Sequence, residues 1–538
     1  MDNELIQLLF PNQQHDAKYY DNMYPARDLE EGAIVSRFAP SPTGFVHMGS
    51  MLVAYTDFIM AHQSNGVFIL RIEDTDEKRT VENGIQGIID DLASFNIVPD
   101  EGPMVGGNYG PYIQTERLDI YHAFIIELLK NDYAYPCFLT ESEGEDIRKY
   151  QEENKLRLGI YGKFATSRNL SIEEVKKRIQ KGEEYVIRFK SRGDFTKQRT
   201  LKDLVKGTLT FPENDMDFIL LKKDGVPVYA FAHIVDDYLM RISHVIRGDE
   251  WVSSLPMHVE LIYALGFPQP KYAHISPLTK REGDTVRKLS KRKDPEASIR
   301  YYVEKGIPIN AAKLYFATIM HPSFESWYMQ NSDKNILDFP FEFKKMPVGG
   351  TYFDLEKLNS VSKIYISKMK ATDLYEEAVD YFETYDSSFA ELLKKYKDRS
   401  IAMLNIEREV KRPRKDISCY SDIKPEFSYF FEELFIPNDT IKNKINFDFM
   451  KEYLDIYNEL DDKETWFHKI KDLGSHYGYA KEVKEFKDHP EAYSGHVGDA
   501  CEMIRLVMTG REMSPDLYEV LQILGKDILE NRISLLQK

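Results

Sequence analysis

At 538 residues the chain is too long for one hydrophobic core and predicts roughly two to four domains. Its formal net charge of −17 excludes nucleic-acid binding as a whole-surface effect, so any phosphate-binding face must be a local cluster of cations. With 42% hydrophobic and 30% charged residues and no apolar run long enough to span a bilayer, the composition excludes a membrane protein.

The first 32 residues hold an apolar cluster at 5–10, seven acidic groups, and only Lys18 and Arg27 as bases, a charge pattern that contradicts a signal or transit peptide. They read as an N-terminal extension. Cys137, Cys419 and Cys501 are odd in number and far apart, which suits a reducing, cytoplasmic setting and supplies neither a disulfide framework nor metal-ligand spacing. Free, buried thiols are expected, and the chain is expected to act as a monomer.

Residues 37–50 form the stretch Arg37-Phe38-Ala39-Pro40-Ser41-Pro42-Thr43-Gly44-Phe45-Val46-His47-Met48-Gly49-Ser50. It follows a short apolar strand candidate and opens a helix candidate at 51–60, the setting in which an α/β fold places a nucleotide-binding turn. The two prolines stiffen the turn, Gly44 and Gly49 allow close approach, and the helix N-terminus suits an anion. Taken alone, the stretch also fits a proline-rich connector with an incidental histidine.

Residues 67–72 form a nearly continuous apolar run, as a strand buried on both faces should. It ends in Glu73-Asp74-Thr75-Asp76, acids at the strand edge where ligands bind in open α/β sheets, with helix capping as the alternative. A helix is expected over 81–95 and another over 117–131. The charged stretch up to about residue 182 reads as an insertion, with strand candidates at 186–189 and 209–211. Apolar runs at 217–221 and 227–231 read as re-entry into the parallel sheet. A helix over 253–265 and a strand over 272–276 then complete a second half. Beyond residue 353 helices are expected at 354–369, 374–385, 389–406, 447–460, 465–473, 499–508 and 515–537.

The segment 280–293 holds seven basic residues and two acidic ones, including Arg287-Lys288-Leu289-Ser290-Lys291-Arg292-Lys293. Such a run is usually a solvated face. Its position after the last strand of the split sheet, however, lets a loop fold back over a nucleotide bound at His47. Lys288 and Lys291 would stabilise charge that builds on phosphoryl oxygens.

Pro-Ser-Pro-Thr-Gly-x-x-His-x-Gly resembles the first nucleotide-binding motif of class I aminoacyl-tRNA synthetases, in the form that the glutamyl-tRNA synthetases use, with Ser50 at its variable last position. Lys-x-Ser-Lys resembles their second motif, and the two stand in the right order about 240 residues apart. Segments 495–499, 506–511 and 514–518 resemble the helical anticodon-binding cage of the bacterial enzymes, so the resemblance runs from residue 33 nearly to the end.

The implied fold is α/β: a split doubly wound, Rossmann-like parallel-sheet catalytic domain with an α+β insertion, followed by an all-α C-terminal anticodon-binding region. The expected divisions are 1–32 extension, 33–105 first catalytic half, 106–215 inserted acceptor-binding domain, 216–300 second catalytic half, 301–350 connecting stem and 351–538 anticodon-binding domain.

The implied activity is ATP-dependent attachment of L-glutamate to tRNA(Glu), with activation that needs bound tRNA and Mg²⁺ arriving with ATP. The resemblance assigns Arg37, Ala39, Ser41, Glu73, Tyr229 and Arg247 to glutamate, and His47, Gly49, Glu250 and Lys291 to ATP, with Lys288 beside them. His233 falls where some relatives have Asn and others an apolar residue. Each assignment has a plainer alternative: Tyr229 as core, Arg247 as a surface ion pair, Glu73 as a cap. Some relatives build a zinc site in the insertion, but Cys137 has no partner cysteine nearby, so no structural zinc is expected. In the cluster 411–415, Arg412, Arg414 and Lys415 are candidates for tRNA phosphates. A glutaminyl-type or non-discriminating enzyme and a catalytically inactive tRNA-binding paralogue are the rival readings.

Overall fold

Strand β1 (Val35–Phe38) is buried at all four positions and runs parallel to β2 (Val67–Leu70), in register from Val35 opposite Val67 to Phe38 opposite Leu70. This computed structural model describes residues 3–76, 81–290 and 293–537. The two strands are joined by helix Met48–Gln63, whose buried Met51, Leu52, Tyr55 and Ile59 recur at helical spacing and pack on the sheet. The helix stops where Asn65 takes the left-handed conformation, φ 53°.

The insertion adds β3 (Ala134–Cys137) and β4 (Val186–Phe189) as an antiparallel pair. A hairpin of two six-residue strands, β5 (Gln198–Asp203) and β6 (Gly207–Pro212), follows. β7 (Ile219–Leu221) then returns to the free side of β4. β8 (His244–Gly248) and β9 (Lys271–Ile275) are parallel along their full length, and β5 joins β9 in parallel at Asp203 opposite Tyr272. β1 lies beside β8, with Ser243 N donating to Val35 O at 3.1 Å. The resulting order β2-β1-β8-β9-β5-β6 is a split doubly wound sheet whose parallel strands point their C-terminal ends the same way. Beyond it, β10 (Leu278–Glu282) and β11 (Thr285–Lys288) form a hairpin that β12 (Thr351–Tyr352) extends.

Two local expectations are corrected. The run at 227–231 is not a strand: it opens helix Tyr229–Leu239, which buries Phe231, Ala232, Ile234, Val235 and Leu239. A five-residue apolar run does not distinguish a buried strand from a buried helix start, and here the pattern continues with period 3.6. The run at 217–221 pairs antiparallel with β4 inside the insertion and does not re-enter the parallel sheet. β5, which no expectation covered, is mostly exposed and polar, with Leu201 as its one apolar residue.

The chain divides into two units, Met1–Tyr301 with Lys313–Asp354 and Tyr302–Ala312 with Leu355–Lys538. In the first, the extension is packed down: Leu5 and Tyr24 are buried, and Arg27 pairs both Glu101 oxygens at 2.7 and 3.0 Å. Among the described residues of the second unit the regular structure is helical apart from a two-residue parallel pair, Tyr479–Ala480 with Gly495–His496. The long helices expected at 389–406 and 515–537 are each broken, after Lys395 and at Gly525 (φ 81°). Arg532, wholly buried, donates to Met508 O and Tyr429 O and so ties three segments of that core together.

Candidate active site

The loop after β1 crosses the C-terminal edge of the sheet and is fixed by its neighbours. Glu73 N donates to Pro40 O at 3.0 Å, Val81 N to Pro42 O at 3.0 Å, and Val46 N to the buried Asp91 carboxylate at 2.8 Å. Gly44 turns the chain at φ 118°, a conformation that L side chains avoid. His47 is the N-cap of helix Met48–Gln63, its Nδ1 accepting from Gly49 N at 2.9 Å. The neutral ring therefore carries its proton on Nε2, as a donor suited to an anion. A Cβ on Gly49 would stand 3.2 Å from that Nδ1, so glycine makes room for the His47 ring as well as for a ligand.

Above this loop lies a cleft of about 620 Å³, lined by residues of the loop, the end of β2, the start of helix Tyr229–Leu239, the ends of β8 and β9, and the β10–β11 hairpin. Arg37, Ala39, Ser41, Glu73, Tyr229 and Arg247 all line it. Arg37 Nε donates to Asp237 at 3.0 Å, and the fully buried Arg71 bridges Asp237 at 2.8 Å and Glu73 at 2.9 Å. Burial opposes ionisation of Asp237, but Arg37 and Arg71 hold it well below the usual carboxylate range. Burial pushes Glu73 up to about 7 against the pull of Arg71 and Arg37. One end of the cleft thus offers the Arg37 and Arg247 guanidinium groups and the Glu73 carboxylate, Arg37 and Glu73 being fixed from behind by Asp237 and Arg71, a set able to hold a molecule with carboxylates and an ammonium.

Tyr229 packs against the Trp251 ring at 4.5 Å and the His233 ring at 4.6 Å. His233 stands behind Tyr229 rather than in the cleft, its Nδ1 donating to Tyr229 O at 2.8 Å, and burial pushes its pKa down to about 3. His233 thus backs Tyr229 and is not among the residues that line the cleft. Arg247, at the end of β8, donates through Nε to His274 Nε2 at 3.1 Å.

At the other end, Lys288 Nζ stands 3.6 Å from Glu250, both on the cleft wall. Asp294 anchors the hairpin by accepting from both Arg287 Nη atoms, at 2.6 and 2.8 Å, and from Ser290 N at 2.9 Å. An isolated bridge between His47 and Ser298 brings the far side of this loop to the first motif. Lys291 lies outside the described residues.

Asp237, Arg71, Trp251 and His274 were not singled out by the sequence reading. Arg71 lies inside the apolar run 67–72 and Asp237 inside an apolar helix, so a charge within an apolar element was the available signal. In the second unit Arg412 and Lys415 are exposed, but Arg414 pairs with Asp416 at 2.9 Å and lies over the Phe427 ring at 5.1 Å. Arg414 is thus engaged within its own unit, unlike Arg412 and Lys415. Among the described residues, no three His, Cys, Asp or Glu side chains converge on a metal geometry, and no helix is long and apolar enough to cross a membrane.

The family model described as tRNA synthetases class I (E and Q), catalytic domain, matches residues 33–321, and an anticodon-binding-domain model matches 373–536. With more than half its length under the first of these, the chain belongs to the class I tRNA synthetases of the E and Q type. Curated relatives narrow the group to glutamate--tRNA ligases: the one from Acetivibrio thermocellus is 44% identical, with 98% of each chain covered. That from Clostridium perfringens is 43% identical, covering 98% of this chain and 99% of its own. Among solved structures, a glutamate tRNA ligase from Elizabethkingia meningosepticum in complex with its amino acid superposes with a TM-score of 0.77 at 28% identity, covering 94% of this chain and 99% of its own.

Proposed function

We propose that the chain joins L-glutamate to tRNA(Glu) in two steps at this cleft. An oxygen of the glutamate α-carboxylate attacks the α-phosphorus of ATP and diphosphate leaves. A hydroxyl of the terminal ribose of tRNA then attacks the carbonyl of the glutamyl-adenylate, and AMP leaves. The observation that carries this reading is the Arg37–Asp237–Arg71–Glu73 network, which holds Arg37 and Glu73 on the cleft wall beside Arg247. Arg247 and Arg37 bind the side-chain carboxylate, Glu73 as carboxylate binds the ammonium, and Tyr229, Ala39 and Ser41 shape the pocket. A fixed guanidinium favours a carboxylate over the amide of glutamine through charge-assisted hydrogen bonds.

His47, Gly49, Glu250, Lys288 and Lys291 receive ATP, whose Mg²⁺ travels with it. The cations stabilise the charge that develops on the phosphoryl oxygens without reorganising at that moment. Holding both reactants in one loop supplies the proximity the attack requires. The helical unit binds the anticodon arm, with Arg412 and Lys415 on phosphates, and the chain works as a monomer in the cytoplasm. Incubating the purified chain with ATP, labelled glutamate and tRNA(Glu) tests the reading: acid-precipitable glutamyl-tRNA is expected. Its absence, with label incorporated only from glutamine, would favour the glutaminyl alternative. A parallel reaction with tRNA(Gln) decides whether that tRNA is charged too.

A further inference from the structure

Arg247 reaches the cleft from a chain of buried polar groups. His274, on β9 and wholly buried, accepts from Arg247 Nε at its Nε2, 3.1 Å away, while its Nδ1 stands 2.6 Å from Asp203 Oδ2. Burial opposes the charge on Asp203, but hydrogen bonds from His274 and from Lys206 N and Val205 N keep its pKa below the ordinary value. Burial likewise lowers the pKa of His274. A carboxylate only accepts, so His274 carries its proton on Nδ1 and turns a lone pair to Arg247.

Asp203 is the last residue of β5, held to the sheet where it pairs with β9 at Tyr272. Its other oxygen takes Lys206 N at 2.7 Å and Val205 N at 2.9 Å, closing the hairpin turn on itself.

We propose that Asp203 and His274 are positioning residues for Arg247: the carboxylate fixes the imidazole tautomer, and the imidazole fixes the plane in which the guanidinium meets the amino-acid carboxylate. This rests on the reading of Arg247 as a glutamate contact. A guanidinium on a flexible stem recognises a carboxylate as a fork only when its plane is set; the acceptor on Nε at 3.1 Å sets it together with the longer 3.4 Å approach of both Nη atoms to His258 Nδ1, which leaves one further N–H on each Nη for ligand. The same chain of bonds puts the inserted hairpin two hydrogen bonds from the amino-acid pocket.

Two substitutions separate positioning from mere packing. The amide of His274→Asn falls near Nδ1 and keeps the bond to Asp203 while giving up the acceptor for Arg247. His274→Gln reaches the Nε2 position and keeps that acceptor. Measured by ATP–diphosphate exchange with tRNA present, His274→Asn is expected to raise the KM for glutamate roughly 10- to 100-fold, the loss of a hydrogen bond to a charged group. Its kcat and KM for ATP should stay within about threefold, and His274→Gln should restore most of the loss. The reverse order, Asn mild and Gln severe, or equal changes in both KM values, would overturn the proposal.

Arg247→Lys, which lacks Nε, is the control: it should raise the KM for glutamate and make His274→Asn silent when combined with it. An unchanged KM in Arg247→Lys would defeat the underlying reading of Arg247. A raised one beside an unaffected His274→Asn would defeat the relay alone. Should the variants fail to fold, nitrogen NMR of the full chain labelled in histidine decides instead: the neutral Nδ1–H tautomer at His274 is expected, and the Nε2–H tautomer would overturn the proposal.

Discussion

Glu73 is the residue whose protonation the cleft controls most directly. Burial raises its pKa to about 7, and only the carboxylate form attracts an ammonium. Glutamate affinity should therefore rise as pH increases through about 7 and level off above it, seen as a falling KM, and Glu73→Gln should flatten that limb while weakening binding throughout. Because the folded value lies above the unfolded one, the sign for stability is opposite. The stabilising effect of protonated Glu73 is full below its unfolded pKa and is lost as pH rises through about 7, so Glu73→Gln should raise the melting temperature relative to wild type above neutral pH.

Asp237 carries the converse cost. It neutralises Arg37 and Arg71 in the interior, and Asp237→Asn should destabilise the chain by about 3–5 kcal/mol in denaturant unfolding, the penalty of a buried ion pair left incomplete. Arg37, Glu73, Tyr229 and Arg247 were legible in the sequence because each stands in a short motif. Asp237 and His274 were not, because they act through partners brought together only by the sheet: Arg37 lies 200 residues from Asp237.

Elements position these residues, and the β10–β11 hairpin is the one that brings Lys288 to the cleft. Its shape depends on Asp294 gripping Arg287 and Ser290 N. Asp294→Ala should loosen the hairpin, raise the KM for ATP, and slow adenylate formation roughly tenfold or more in single-turnover experiments, with the KM for glutamate little changed. Equal effects on both substrates would assign the hairpin a different role. The helix after the first motif was readable from its apolar spacing, and β2 from its unbroken apolar run. The helix starting at Tyr229 was not, because its first turn is as apolar as a strand. The second strand of the inserted hairpin was anticipated at 209–211, but the first escaped because β5 exposes most of its side chains and is defined by pairing rather than by hydrophobic pattern.

At the scale of the whole molecule, a chain of formal charge −17 must bind a polyanion through patches. Replacing Arg412 and Lys415 together by Ala should weaken tRNA binding and make the dependence of log affinity on log salt shallower by roughly one to two, about 0.7–0.9 for each phosphate no longer neutralised. The KM for glutamate at saturating tRNA should not move. An unchanged salt dependence would assign the patch to solvent. The two-part architecture was readable from the shift to helical periodicity after residue 353, whereas the inward turn of Arg414 depends on Phe427 and Asp416 and leaves no mark in composition.

The central claim is that the buried network around Arg37 and Glu73, with Arg247, selects glutamate as the amino acid activated by ATP. ATP–diphosphate exchange with tRNA(Glu) present, measured with glutamate and with glutamine, tests it most directly. Exchange with glutamate should exceed that with glutamine by on the order of a thousandfold in kcat/KM, and equal exchange with the two amino acids would contradict it.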